Sequence, residues 1–439
     1  MTGFSARRLV TAIAVCSASA VAFVLPSAAS ATSITAQGST LQEIAQHKYF
    51  IPDFEAKHPG DTITYTGTGS GAGLKAWGNA HTCEVESNEY VGTDQPPNAT
   101  QKASMEKSCE DVPDSTKAKV LSIPTLQAAV AIIYHLPSGC TSVSSKAKKQ
   151  TTHLALNAKT LEEIFAHKIT EWGQIKEEGD TFAPAGCASG KPIIRVVRLE
   201  GSGTTAITKK WFYQENQNEV DTTTHENWNE LAENNSNLNW PEEGVNLVRG
   251  KGTPGIVAET EKEAGSIGYA NLANAYEEGK FKGELKTQNW AVVENKGGKK
   301  PTYANPEKPG AVIAKSKPKK YKEGESNCAA TNYVNGPGHT FPPESTEEVW
   351  NEVSAATSQV NYPICGFTYD LSAKCFSDME PTFQPEVAQV ALVKEYFEFM
   401  VKEGPKIIVN GTDYLGLPEN ANPKKNVKLI AEEGTKAIC

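Results

Sequence analysis

Apolar positions along this chain change period at short loops of glycine with serine or threonine. Leu41, Ile44, Ala45, Phe50 and Phe54 recur at near-helical spacing, and Pro59-Gly60 ends the helix they predict. Thr62-Ile63-Thr64-Tyr65 has the β-branched content of a strand. A second helical start follows at Leu74-Lys75-Ala76-Trp77. A third runs through Ile207, Trp211 and Phe212, after the strand Ile193-Ile194-Arg195-Val196-Val197. Ala128 to Tyr134 is a continuous apolar run suited to a buried strand. Thr160-Leu161-Glu162-Glu163-Ile164-Phe165 predicts a helix capped by Thr160 and Glu163 as a capping box. Further on, Tyr362-Pro363-Ile364-Cys365-Gly366-Phe367 reads as a strand, and Val387 to Met400 as a helix apolar nearly all round. Strands alternating with helices predict an α/β fold.

The loops at these switches share one design. They are Gln37-Gly38-Ser39-Thr40, the run Thr66-Gly67-Thr68-Gly69-Ser70-Gly71-Ala72-Gly73, and Glu200-Gly201-Ser202-Gly203-Thr204-Thr205. An isolated Gly-Ser-Gly-Thr is more often an ordinary turn with an N-cap. Three together, each opening a helix, are what an anion cradle needs. The first helical turn has unpaired N–H donors and partial positive charge, glycine allows close approach, and Ser or Thr adds hydroxyls. The G-x-x-x-x-G-K-[ST] spacing of a nucleotide-binding loop is missing, which favours a free anion over a nucleotide.

Composition narrows the class of partner. Arg7 and Arg8, the apolar run Leu9 to Leu25 and Ala29-Ser30-Ala31 have the layout of a signal peptide over residues 1–31, which predicts export. The net charge is −9, and loss of that leader, with two arginines and no acids, takes it to −11. Such a surface argues against nucleic acid, which demands a basic footprint, and leaves a small anion open. Past the leader stand Cys83, Cys109, Cys140, Cys187, Cys328, Cys365, Cys375 and Cys439, with no C-x-x-C pair among them. An even number in an exported chain reads first as disulfides rather than a metal site. Pairing in sequence order gives 83–109, 140–187, 328–365 and 375–439, one of many connectivities. From Asn295 to Ser326 the sequence turns to Lys, Gly, Pro and Glu. Its basic cluster Lys315, Lys317, Lys319, Lys320 and Lys322 reads as a solvated surface loop. The eight histidines are scattered and suggest no metal cluster.

Two charged residues bear on specificity. Arg198, just before the third loop, offers a planar fork to two oxygens of an anion, or else a surface salt bridge. Asp94, in Gly92-Thr93-Asp94-Gln95-Pro96, suits the cap of a turn. As an anion-site residue it carries the sign of the ligand, yet an ionised carboxylate only accepts hydrogen bonds. It would accept a hydrogen bond from the proton-bearing oxygen of hydrogen phosphate and repel fully ionised sulfate.

These residues together resemble the phosphate-binding proteins of ABC importers. The stretches that carry the resemblance are Gly38-Ser39-Thr40, Tyr65 to Gly73, Gly92-Thr93-Asp94, and Arg198 to Thr205. Ile123-Pro124-Thr125, Leu161 to Trp172, Gly265 to Tyr269 and Tyr362-Pro363-Ile364 add to it, in family order over most of the chain. The resemblance implies two α/β domains joined by crossover strands, with the ligand cleft between them, as in type II periplasmic binding proteins. One domain would be residues 32–128 plus 365–439, and the other 129–364, with a Lys/Pro/Gly-rich insertion at about 295–361. Phosphate would be bound by Thr40, Leu41, Ser70 and Asp94 from one side and by Arg198, Ser202, Gly203 and Thr204 from the other. Glu200, one methylene longer than the family's usual aspartate, would orient the arginine. Leu41 stands where an aromatic residue is common. The implied protein is a monomeric binding protein outside the cytoplasm that passes phosphate to the membrane permease subunits, without cofactor, metal or catalysis. The alternatives are a phosphatase-like hydrolase of the same fold and a binder of another tetrahedral oxyanion.

Overall fold

A computed structural model describes residues 31–79, 88–106, 118–141, 153–176, 183–187, 189–216, 220, 225–233, 237–277, 290–295, 302–306, 311–313, 328, 330–334, 343–351, 354–357, 361–379, 384–408, 413–423 and 426–439. Residues 1–30 of the leader, Cys83, Cys109 and the five lysines from Lys315 to Lys322 lie outside them.

The first part of the chain contains β1 (Ser33–Gly38), α1 (Glu43–Ala45), a π-helical turn (Gln46–Phe50), α2 (Ile51–Lys57), β2 (Thr62–Gly67), α3 (Ser70–Leu74), β3 (Tyr90–Thr93), α4 (Ala99–Met105) and the sixteen-residue β4 (Val120–His135). The middle holds β5 (Ala155–Leu156), α5 (Ala158–Phe165), β6 (Ile194–Arg198), α6 (Gly203–Glu215), α7 (Trp228–Glu233), β7 (Leu247–Gly250), α8 (Gly252–Lys262), β8 (Ser266–Asn271) and α9 (Leu272–Glu277). Short strands follow, β9 (Val292–Asn295), β10 (Thr302–Ala304), β11 (Ala311–Ile313), β12 (Ala330–Val334) and β13 (Ser354–Thr357). The chain closes with β14 (Cys365–Ala373), α10 (Val387–Lys402), α11 (Gly404–Ile408), β15 (Tyr414–Leu415) and α12 (Val427–Lys436).

The main sheet runs β2-β1-β3-β14-β4-β8-β6-β7, with β15 also pairing β4. Its layout is nearly symmetric. β2, β1 and β3 form one parallel trio, and β8, β6 and β7 form another. Between them, β14 and β4 pair antiparallel with each other and with the trio on either side. β4 therefore belongs to both halves. Its residues up to Ala129 face β14, and Val130 onward face β8. The result is a mixed α/β fold of two lobes, the first around β1–β3 and the second around β6–β8.

The apolar run from Ala128 marks only the second half of β4. Ser122, Pro124, Thr125 and Gln127 interrupt the pattern before it, yet all of β4 except its last residue is buried. Pro124 is tolerated because it sits where the register with β14 shifts between Thr368 and Tyr369, a usual place for a strand proline. The strand expected over residues 362–367 begins at Cys365 and runs to Ala373. The capping box at Thr160 is displaced by one turn. Asn157 is the N-cap of α5, its side chain accepting from the Thr160 N–H at 2.7 Å, because Ala158 and Lys159 already belong to the helix.

Within the stretch read as a solvated loop, β10 and β11 extend β9 and β5 into a four-stranded sheet, and beyond it, later in the insertion, β12 pairs with β13. Backbone pairing there overrides a polar composition, so the insertion carries strands as well as loops. Three of the four disulfides expected from sequence order are formed, Cys140–Cys187, Cys328–Cys365 and Cys375–Cys439. No helix among the described residues is long and apolar enough to cross a membrane.

Candidate anion site between the lobes

In open parallel sheets, ligands gather beyond the carboxyl ends of the strands. The two trios point those ends at each other, and each predicted loop sits at one. The first loop follows β1, the second follows β2, Asp94 follows β3, and Arg198 ends β6. Thr40, Leu41, Ser70, Asp94, Arg198, Ser202 and Thr204 are all buried.

Asp94 is the centre of the first lobe's contribution. Ser39 Oγ donates to Asp94 Oδ1, and Ser70 Oγ donates to Oδ2 at 3.2 Å while accepting from the Asp94 N–H at 3.1 Å. Burial lifts its carboxyl to about 6, against the pull of the Ser39, Thr368 and Ser70 hydroxyls and the Arg198 charge. Each carboxylate oxygen accepts more than one bond, so Asp94 keeps capacity for a proton-bearing ligand.

Arg198 is the centre of the second. Its Nε donates to Glu200 Oε1 at 2.7 Å, and one terminal nitrogen bonds the same oxygen. The other terminal nitrogen donates to Ser202 Oγ at 2.8 Å and to Thr253 Oγ1 at 3.5 Å. Glu200 Oε1 also accepts from the Gly252 N–H at 3.0 Å, so the acid fixes the arginine to the start of α8. Ser202 is the N-cap of α6, its Oγ accepting from the Thr205 N–H at 3.2 Å. The amides of Gly203 and Thr204 come ahead of the helix ladder and have no partner four residues back. Thr204 Oγ1 is buried without a hydrogen-bond partner among the described residues.

The lobes touch at this point. A Cβ on Gly203 would lie 2.7 Å from both Asp94 Oδ2 and Ser70 Oγ, so only glycine lets α6 begin there. Gly69, at φ +98, is the N-cap of α3 and lies against Gly201, whose carbonyl accepts from the Gly71 N–H at 3.1 Å. Thr40 Oγ1 and Thr253 Oγ1 are 3.0 Å apart across the same junction.

The eight residues read as ligands from the sequence thus lie together at this junction, and Glu200 bonds Arg198. Leu41 differs in detail. Its N–H donates to Ser39 Oγ at 3.0 Å, and its carbonyl accepts from Asn271 Nδ2 at 2.8 Å and Tyr414 Oη at 2.7 Å. The site also holds residues that the sequence reading missed. Thr253 had a visible signal, because Lys251-Gly252-Thr253-Pro254-Gly255 repeats the glycine-threonine pattern where α8 begins after β7. Ser39 lay inside a loop already singled out. Asp370 on β14 had none. It receives Gln42 Nε2 at 3.1 Å, and burial first, then Asp94, pushes its carboxyl up to about 7.

A paired set of strand-end loops closing on a buried acid and a buried arginine defines a solute-binding fold of two lobes. The chain belongs to the PBP superfamily, whose domain model matches residues 25–314. It is 26% identical over 390 residues to the phosphate-binding protein PstS of Methanocaldococcus jannaschii, covering 88% of this chain and 83% of that one. It is 30% identical over 174 residues to phosphate-binding protein PstS 3 of Mycobacterium tuberculosis, covering 39% of each. Among solved structures, a phosphate-binding protein from Stenotrophomonas maltophilia aligns with a TM-score of 0.54 at 16% identity, over 92% of this chain and 90% of that one. A high-affinity periplasmic phosphate-binding protein solved with phosphate aligns with a TM-score of 0.55 at 19% identity, over 88% and 91%. These curated relatives are named as binding proteins, not as enzymes.

Proposed function

We propose that this protein binds inorganic phosphate between its lobes, outside the cytoplasm, and delivers it to the membrane permease subunits of an ABC importer. The observation that carries the reading is the buried opposition of Asp94 and Arg198, ringed by the hydroxyls of Thr40, Ser70, Ser202 and Thr204. An acceptor facing a donor set suits an anion that still carries a proton. Sulfate, fully ionised at neutral pH, would bring Asp94 no proton and set negative charge against it. The names of the relatives support phosphate as the anion.

In this reading Thr40, Ser70, Ser202, Gly203 and Thr204 donate to phosphate oxygens, Arg198 provides charge-assisted bonds, and Glu200 holds the guanidinium in plane. The lobes correspond to residues 32–128 plus 365–439 and 129–364. Residues 1–31 act as the export signal, and the mature protein works as a monomer. Calorimetry with both anions tests it. Phosphate should bind far more tightly than sulfate, and comparable affinities would remove the role given to Asp94.

A further inference from the structure

Gln95 follows Asp94 directly, and both ends of its side-chain amide are engaged by the opposite lobe. Its Nε2 donates to the Ala232 carbonyl at 2.8 Å, at the end of α7, and its Oε1 accepts from Asn237 Nδ2 at 2.9 Å. Asn237 is 2% exposed and sits at φ +39, a left-handed backbone that asparagine tolerates better than most side chains. The same side chain holds Ser202 at both ends. Its Oδ1 accepts from the Ser202 N–H at 3.1 Å, and its Nδ2 donates to the Ser202 carbonyl at 2.8 Å. Behind it, Lys209 Nζ donates to the Asn237 carbonyl at 3.0 Å and to the Asn239 carbonyl at 2.6 Å, with the ammonium 4.2 Å from the Trp240 ring centre.

One asparagine therefore joins the N-cap that presents Arg198's partner Ser202 to the residue adjoining Asp94. We infer that Gln95 and Asn237 form a clasp that sets how long the closed lobes hold their ligand. This inference rests on the phosphate reading above. Neither residue is among the groups assigned to the anion, so both act as positioning residues. Their bonds to each other and to Ala232 exist only while the lobes are together. When the lobes part, Gln95 regains water, whereas Asn237 stays bonded to Ser202 within its own lobe. The clasp is thus prepared on one side and made on closure. It opposes opening and should act on ligand release more than on capture. Contacts of this kind are each worth a few-fold to about tenfold in an equilibrium, so losing both should speed release roughly tenfold or more.

The test uses the full chain and inorganic phosphate in stopped-flow and thermal-melt measurements. Gln95→Ala should release phosphate roughly tenfold or more faster, with the association rate and the ligand-free melting temperature unchanged. Asn237→Gly keeps the left-handed backbone and should speed release further, because it also loosens Ser202. In the Gln95→Ala background its added effect should be smaller than alone, since the two changes share a bond. An unchanged release rate in Gln95→Ala would overturn the clasp. So would a ligand-free melting temperature lowered as much as the phosphate-bound one, because the bonds would then be structural in both states. If the wild-type protein fails to bind phosphate, the phosphate reading falls, and the same release measurements with arsenate and sulfate decide the clasp separately. Faster release of whichever anion binds supports it, and unchanged release, or binding of neither anion, overturns it.

Discussion

The two lobes bring opposite chemistry to one junction and bear its cost differently. On the second lobe the buried cation Arg198 has its counter-charge beside it in Glu200, and further hydrogen bonds in Ser202 and Thr253. On the first lobe the buried acid Asp94 has hydroxyls rather than a fixed cation in contact, and burial raises its carboxyl to about 6. The second half is electrostatically complete by itself. The first half is not, and a ligand proton would complete it. Selectivity for a protonated anion should therefore reside in the first lobe, and raw affinity in the second.

Removing the arginine tests the affinity side and should have the largest effect. Arg198→Ala strands Glu200 in a mostly buried site, and phosphate affinity measured by calorimetry should fall by about 3–5 kcal/mol. A loss below about 1 kcal/mol would mean that the pair behaves as an exposed one.

The acid's cost appears as a pH dependence of stability. Between its ordinary value of 3.8 and about 6, folded Asp94 keeps a proton that the unfolded chain has released. The folded state therefore loses stability as pH rises through that window, by at most about 3 kcal/mol, at about 1.4 kcal/mol per tenfold difference in proton affinity. Asp370, displaced to about 7, acts in the same direction and extends the window upward. Denaturant melts of the ligand-free protein from pH 4 to 7 should show the decline. Asp94→Asn should flatten it, and an equal slope in that variant would place the cost elsewhere.

Selectivity is sharpened by the same substitution. Asp94→Asn replaces an acceptor by a group that also donates, so the preference for phosphate over sulfate should narrow by about 1–3 kcal/mol. Competition binding would show this, and an unchanged ratio would move selectivity out of the first lobe. The smallest effect is expected from Thr204→Val, which removes a hydroxyl that has no partner among the described residues. Phosphate affinity should drop by about 1 kcal/mol, with the ligand-free melting temperature held or slightly raised.

Much of this site was legible because its chemistry is local. A glycine-serine loop after a strand announces itself within a few residues, and Arg198 lay beside such a loop, while Asp94 stood in the turn Gly92-Thr93-Asp94-Gln95-Pro96. What escaped was set by distance along the chain. Asn237 meets Gln95 across 142 residues, and Asp370 reaches Gln42 across 328. No window of sequence contains such pairs. The fold shows the same division. Among the elements that periodicity predicted, α5, α6, α10, β2 and β6 formed where expected, but the first half of β4 escaped it, because Ser122, Thr125 and Gln127 are buried by neighbours that only the assembled sheet supplies.

The position of β14 also dictates an order of events. Its residues 365–373 lie between β3 and β4, strands that leave the ribosome more than two hundred residues earlier. Until β14 arrives, β3 and β4 each present an unpaired edge, and the first lobe lacks its middle. That lobe is first in sequence and must be completed last. Such long-range closure is slow and leaves strand edges exposed to wrong partners in the meantime. Nascent chains truncated before residue 365 should therefore remain without a finished first lobe, however much of the second has already formed.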